Sequence, residues 1–173
     1  MKKIGIIFAC MLVISASFFT GCVTTEKGML TLKITDAPGD LNISKALVTI
    51  SYVEVHMGSG GNNSSAEWIT VVNESQQFDL IQLENVTDVL GNSTLDVGIY
   101  TQIRLHISEA LVTIDGEQYD LEIPSKTVKL VNQFIIQPGV TTTLILDFDI
   151  KNSVHKTGSD KYILQPTIRV IEE

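Results

Sequence analysis

The side chains able to do chemistry are few and scattered along the chain. Histidine occurs at His56, His106 and His155. No cysteine accompanies them, and no two have the close spacing of a zinc site. His56 and His106 fall in strand-like stretches and His155 in a loop, so each reads as a single surface or half-buried histidine. Serine and aspartate are plentiful, but no Gly-x-Ser-x-Gly turn presents a nucleophile and no glycine loop suits a phosphate. The acids say more. Asp147 and Asp149 lie two residues apart in an alternating stretch, which would put both on one face about 7 Å apart. Asp36 and Asp40 flank a turn able to offer backbone carbonyls. Calcium takes roughly six to eight oxygens from such sources, so Asp36, Asp40, Asp147 and Asp149 are candidate calcium ligands. The competing reading is a solvated strand face and a Pro-Gly turn of the kind Asp favours. No EF-hand-like loop is present, and carboxylates adjacent on a strand are not thereby set across a glycosidase cleft. The expectation is no cofactor, with calcium as the exception to test.

A different chemistry stands at the start of the chain. Lys2 and Lys3 precede the apolar run Ile4–Ile14, small residues follow, and the stretch closes on Phe19-Thr20-Gly21-Cys22. A basic start, a short apolar core and a small-residue cleavage site define a secretory signal. The run falls short of the about 20 apolar residues of a membrane span, and no stop-transfer pattern follows. Gly21-Cys22 resembles the lipobox of bacterial and archaeal lipoproteins, with Phe19 where Leu is usual. The resemblance implies cleavage after residue 21 and lipid on Cys22. An ordinary signal peptide with a chance cysteine is the alternative. Asn-x-Ser/Thr sequons begin at Asn42, Asn62, Asn63, Asn73, Asn85 and Asn92. They mark either a glycan-decorated flank of an exported domain or a stretch merely rich in Asn, Ser and Thr.

Removal of residues 1–21 from the 173 leaves enough chain for one domain with a sizeable core. It also removes Lys2 and Lys3, which takes the net charge from −8 to −10. So acidic a domain lacks the electrostatic footprint for nucleic acid and would meet an anionic membrane through its anchor alone. Cys10 leaves with the signal and Cys22 carries lipid, so the mature chain has no disulfide available. Residues 22–27 form a lipidated Cys and a short tether. Five residues after Cys22 reach at most about 17 Å, which keeps the domain, residues 28–173, close to the membrane.

The elements that must hold these residues read as strands. In Gly28–Asp36, Leu30, Leu32 and Ile34 alternate with polar residues. Ile43–Met57 is long and β-branched: Val48, Ile50 and Tyr52 share a face, then Val53, Val55 and Met57 take over. That slip calls for a bulge near Ser51–Val53 or for burial on both sides. Trp68–Val72 and Gln77–Leu80 are further strands. Leu83–Asn92 has helical spacing at Leu83, Val86 and Leu90, with Gly91 as a possible cap, and reads as a short helix or an irregular connection. From Gly98 a strand points Ile99, Thr101, Ile103, Leu105 and Ile107 one way and Tyr100, Gln102, Arg104 and His106 the other. Asp115-Gly116 predicts a two-residue hairpin that sets Val112 opposite Tyr119. Thr127–Val131 and Gln133–Ile136 follow, then Thr143–Ile150 with Leu144, Leu146, Phe148 and Ile150 inward. Tyr162–Val170 closes the chain, with Pro166 at an edge or bulge. Many short strands and almost no helix predict an all-β, antiparallel β-sandwich of the immunoglobulin-like or transthyretin-like two-sheet kind, with a closed β-barrel as the alternative.

Several stretches together resemble the family known as domain of unknown function 4382. They are Leu32–Asp40, Val53-Glu54-Val55-His56, Gly98–Leu105, Thr141–Asp149 and Tyr162–Val170. The resemblance implies an exported, often lipid-anchored β-sandwich domain and brings no catalytic residues. Two function classes remain. One is a membrane-tethered, non-catalytic envelope domain, structural or binding an envelope polymer, glycan or protein. The other is an extracytoplasmic hydrolase or calcium-dependent enzyme with a loop-built site.

Overall fold

The structure is a computed structural model. It describes residues 26–37, 42–58, 66–158 and 161–173. Cys22, Asp40, Asn62, Asn63, the signal sequence and the Pro38-Gly39 turn lie outside these residues.

Alternation of apolar and polar side chains builds the chain into strands. They are β1 (Lys27–Asp36), β2 (Ile43–Met57), β3 (Glu67–Val72), β4 (Gln76–Asp79), β5 (Asp88–Asp96), β6 (Gly98–Ile114), β7 (Glu117–Glu122), β8 (Thr127–Ile136), β9 (Thr141–Phe148), β10 (Val154–Lys156), β11 (Tyr162–Leu164) and β12 (Ile168–Glu172). The exceptions are a 3-10 turn at Leu80–Leu83 and the single helical turn α1 (Ile150–Ser153). Two sheets face each other. The smaller runs β12-β9-β1-β5; the larger is built on β2 and β6, with β3 and β4 along the outer side of β2 and β7 and β8 along that of β6. β11 and β10 extend the larger sheet beyond β7. The predicted two-sheet sandwich is therefore what forms, not a closed barrel. It is not purely antiparallel, because β1 pairs with β9 and β11 with β7 in parallel.

The inner faces carry the core. Leu30, Leu32 and Ile34 from β1 and Leu144, Leu146 and Phe148 from β9 are essentially inaccessible, as are Val48, Ile50, Val53, Val55, Ile103, Leu105 and Ile107 opposite them. Ile168 and Val170 of β12 are half-buried at the sheet edge. The slip in β2 is a bulge at Ser51, opposed by one at Ser108 in β6. Each serine satisfies a carbonyl of the facing strand: Ser51 Oγ donates to His106 O at 3.2 Å and Ser108 Oγ to Thr49 O at 3.3 Å. Tyr52 thereby joins the outer face, not that of Val48 and Ile50. The hairpin forms as read, with Asp115 (φ 52°) and Gly116 (φ 84°) both left-handed and Val112 opposite Tyr119.

Several elements depart from the sequence expectation. Residues 88–96 form β5 on the edge of the smaller sheet, not a helix; Val86 is exposed while Leu83 and Leu90 are buried. Gly91 is a close approach rather than a cap, since a Cβ there would lie 2.7 Å from Val72 Cγ2. A second bulge in β6, at Thr101, turns Ile99 outward and Tyr100 inward, where its ring stacks on Phe134 at 5.2 Å. β8 is one irregular strand instead of two. The last stretch divides at Gln165-Pro166-Thr167, so that β11 and β12 lie in different sheets. His155 is on a strand, β10, and Asp149 has left its strand to cap α1.

Phe148, the last residue of β9, is fully buried on the smaller sheet's inner face. Phe148→Ala should cost about 3–5 kcal/mol in urea melts; a loss under ~1 kcal/mol would mean this face does not form the core.

Candidate functional site

Beyond the paired bulges, the second half of β2 and the first half of β6 run side by side between β3 and β8. Register sets their outward side chains in rows across the sheet. One row is Trp68, His56, Gln102 and Val131; the next is Thr70, Glu54, Arg104 and Lys129; the third is Tyr52, His106 and Thr127. Neighbouring strands lie about 4.8 Å apart and successive rows about 7 Å, close enough for these side chains to form one network.

Two stacked groups make up most of it. The Arg104 guanidinium lies over the Trp68 ring, 3.6 Å from its centroid. The His56 ring lies 4.8 Å from that of Trp68, tilted by 50°, and is hydrogen-bonded through Nδ1 to Thr101 Oγ1 at 3.0 Å. One row on, Tyr52 stacks on His106 at 3.7 Å with the rings 16° apart, and Tyr52 is the more exposed of the two. His106 is held on both nitrogens, Nε2 to Glu54 Oε2 at 3.2 Å and Nδ1 to Thr127 Oγ1 at 3.0 Å. Glu54, directly across from Arg104 in register, thus bonds the histidine and not the guanidinium. Among the described residues Arg104 has no carboxylate partner, and its buried Nε has no hydrogen-bond acceptor.

The face ends at a cavity of about 460 Å³ between the start of β8 and the segment joining β11 to β12. Ser125, Thr127, Lys129, Asn152, His155 and Pro166 are among its lining residues. Thr127 and Lys129 belong to both face and cavity. Neither His56 nor His106 lines this cavity, and no serine hydroxyl bonds a histidine ring among the described residues. Thr127, His106 and Glu54 do form a hydroxyl–imidazole–carboxylate relay, the connectivity of a nucleophile, its base and an orienting acid.

The acids read as calcium ligands come partly together. Asp36 ends β1 beside Asp147 and Phe148 of β9, but each carboxylate is engaged. Asp36 Oδ1 accepts the Ile150 N–H at 3.1 Å, and Asp147 Oδ2 accepts from Arg169 at 2.7 Å. Asp149 takes both the backbone and the side-chain N–H of Asn152, which hold its carboxyl below the usual range. Among the described residues no three His, Cys, Asp or Glu side chains converge as a metal would need. Asp36 is pushed up to about 7, chiefly by burial and then by Asp149, Asp147 and Glu84, against the lowering effect of the Ile150 hydrogen bond. Asn42, Asn73, Asn85 and Asn92 are all exposed, as sequon residues must be to receive glycan. Sequence reasoning missed Trp68, Tyr52 and Arg104 as a group. The signal available was the outward phase of β2 and β6; what joins them is cross-strand register.

A family model described as "Domain of unknown function (DUF4382)" matches residues 27–166. No curated protein matches. A solved structure from Bacteroides ovatus ATCC 8483, described as a candidate cell adhesion protein, is 10% identical with a TM-score of 0.25. The alignment covers 85% of this chain and 45% of that one, so this chain spans less than half of its length.

Two expectations follow from the acids. The folded state binds a proton at Asp36 that the unfolded chain releases near 3.8. Stability from this group is therefore present at low pH and lost as pH rises towards about 7. Asp36→Asn should remove that fall and raise the melting temperature at pH 8; an unaltered pH profile would refute the assignment. With at least one oxygen of each carboxylate engaged, Asp36, Asp147 and Asp149 should leave melting curves in millimolar calcium and in chelator superimposable, whereas a shared ion would raise the midpoint by mass action.

Proposed function

The chain belongs to the DUF4382 family of domains of unknown function, and we propose that it is a membrane-tethered, non-catalytic binding domain of the cell envelope. The observation that carries this reading is the outer face holding Tyr52, Glu54, His56, Trp68, Arg104 and His106. All of these but Trp68, which stands on the edge strand β3, sit on two strands hydrogen-bonded on both sides, a platform of the kind that keeps a binding surface pre-organised. Gly21-Cys22 supports an exported, lipid-anchored location. A domain fixed to the membrane by a short tether gains little from a diffusible substrate and much from a fixed polymer, glycan or protein. The acidic charge turns nucleic acid away. No cofactor is needed for this role.

One observation favours hydrolysis as the second reading: the Thr127–His106–Glu54 relay, with Thr127 open to the cavity. Against it, the hydroxyl is a β-branched secondary alcohol on a strand and Tyr52 covers the imidazole, leaving little room for a substrate carbonyl between base and nucleophile.

In fractionated cells the full chain should sediment with membranes and Cys22→Ser should not. Two acyl chains anchor stably where none can, so wild-type retention of the variant would remove the anchor. The same experiment extends to residues 23–173, which keep every strand of both sheets. This soluble chain should bind purified envelope polymer and lose that binding in the Tyr52→Ala, Trp68→Ala double variant. Turnover of an ester, glycoside or peptide substrate that disappears in Thr127→Val would replace this reading with the hydrolytic one.

A further inference from the structure

The feature of the outer face least explained by folding is its unspent positive charge. The chain has 20 acidic residues against 12 lysines and arginines, yet among the described residues several lysines, Lys45, Lys126 and Lys151 included, hold no carboxylate. Lys27, Lys33 and Arg169 each hold one, on Asp96, Glu173 and Asp147. Arg104 and Lys129 are cross-strand neighbours, and among the described residues neither has an ion pair. The one acid in register with Arg104, Glu54, is drawn off by His106 at 3.2 Å. Arg104 is fixed over Trp68 with a buried Nε–H that donates to nothing. The buried Nε–H is closed to a ligand, so an anion would meet the guanidinium through its terminal Nη groups. A planar guanidinium held in one orientation suits a carboxylate taken up by two parallel hydrogen bonds.

The aromatic residues say what carries the anion. Tyr52 and Trp68 sit about two rows, roughly 14 Å, apart along the strands, with Arg104 between them in register. That spacing suits a chain of several rings rather than a single small acid. Along this stretch β2 and β6 are paired on both sides, so an extended peptide could add as a strand only beyond β3 or β8, away from Tyr52 and Arg104. Recognition here rests on side chains alone: rings for apolar sugar faces, Arg104 and Lys129 for acid groups. Past Lys129 the cavity of about 460 Å³ adds the polar side chains of Ser125, Asn152 and Gln165.

We propose that this face binds an acidic polysaccharide of the uronate type, its carboxylate seated on Arg104 and Lys129 and its sugar rings on Trp68 and Tyr52. This rests on the binding-domain reading above and names the ligand class of that same site.

The test is calorimetric titration of residues 23–173 with three probes: tetragalacturonate, the neutral maltotetraose and a tetraglutamate peptide. Tetragalacturonate should bind, more weakly as salt is raised, and the other two should not. Arg104→Gln should weaken it roughly 10- to 100-fold, as loss of a charge-assisted hydrogen-bond pair implies, with Arg104→Lys recovering only part. Lys129→Gln, at an exposed position, tests the same charge where folding is not at stake. Maltotetraose binding as tight and indifferent to Arg104→Gln would overturn the acidic-ligand inference and leave the binding domain standing. Tetraglutamate binding as tight as tetragalacturonate would overturn it in favour of an acidic peptide. If no probe binds while the chain still binds envelope polymer through Trp68 and Tyr52, this inference fails alone. If that binding is also absent, both fail.

Discussion

The structure depends on one long pairing, β2 against β6, and on the two bulges that interrupt it. Each strand is too long to keep one phase while the sandwich curves. Ser51 and Ser108 supply the extra residues on opposite strands at nearly the same level, so pairing resumes on either side. Their hydroxyls take up carbonyls of the facing strand, which keeps the irregularity from leaving polar backbone unsatisfied. The first part of the pair feeds Val48, Ile50, Ala110 and Val112 to the core and the second part Val53, Val55, Ile103 and Leu105. Without the paired slip, one half would turn its apolar side chains to solvent.

That same slip creates the outer face. It moves Tyr52 out of the core phase and sets it on His106 in the facing strand, which leaves Glu54 bonded to an imidazole and Arg104 without a carboxylate. The platform's two main strands, β2 and β6, are central ones, and β3 with Trp68 closes it at the edge. The smaller sheet does different work. Its parallel β1–β9 pair brings Asp36 beside Asp147 and Asp149, where burial and like charge hold one carboxyl near neutrality and Arg169 compensates a second. The acids of the smaller sheet are thus buried, hydrogen-bonded or paired, while Arg104 on the platform has no carboxylate among the described residues.

Much of the fold was legible because it follows from local alternation. The bounds of β2, the inward residues of β1 and β9, the Asp115-Gly116 hairpin and the need for a bulge near Ser51 each rest on a period of two or on turn chemistry a few residues long. Misreadings cluster where period and position disagree. Leu83, Val86 and Leu90 have helical spacing by coincidence, since Leu83 closes a 3-10 turn and Leu90 is buried from within a strand. Ile99 and Tyr100 exchange faces because a bulge at Thr101 cannot be seen from alternation that continues on paper. Tyr162–Val170 looks continuous, yet Gln165-Pro166-Thr167 carries the chain from one sheet to the other.

An all-β domain, its main inward faces and its acidic charge were readable from residue order alone, as was the resemblance to a family that the match over residues 27–166 establishes. Which polar residues meet follows from the assembled sheets. Trp68 and Arg104 are 36 positions apart, and Glu54 and His106 bond across 52. The physical reason is that a strand's own pattern specifies which way each side chain points, whereas its neighbours are set by register. Register is chosen by the whole core through bulges and long-range pairing, and no single stretch of sequence encodes it.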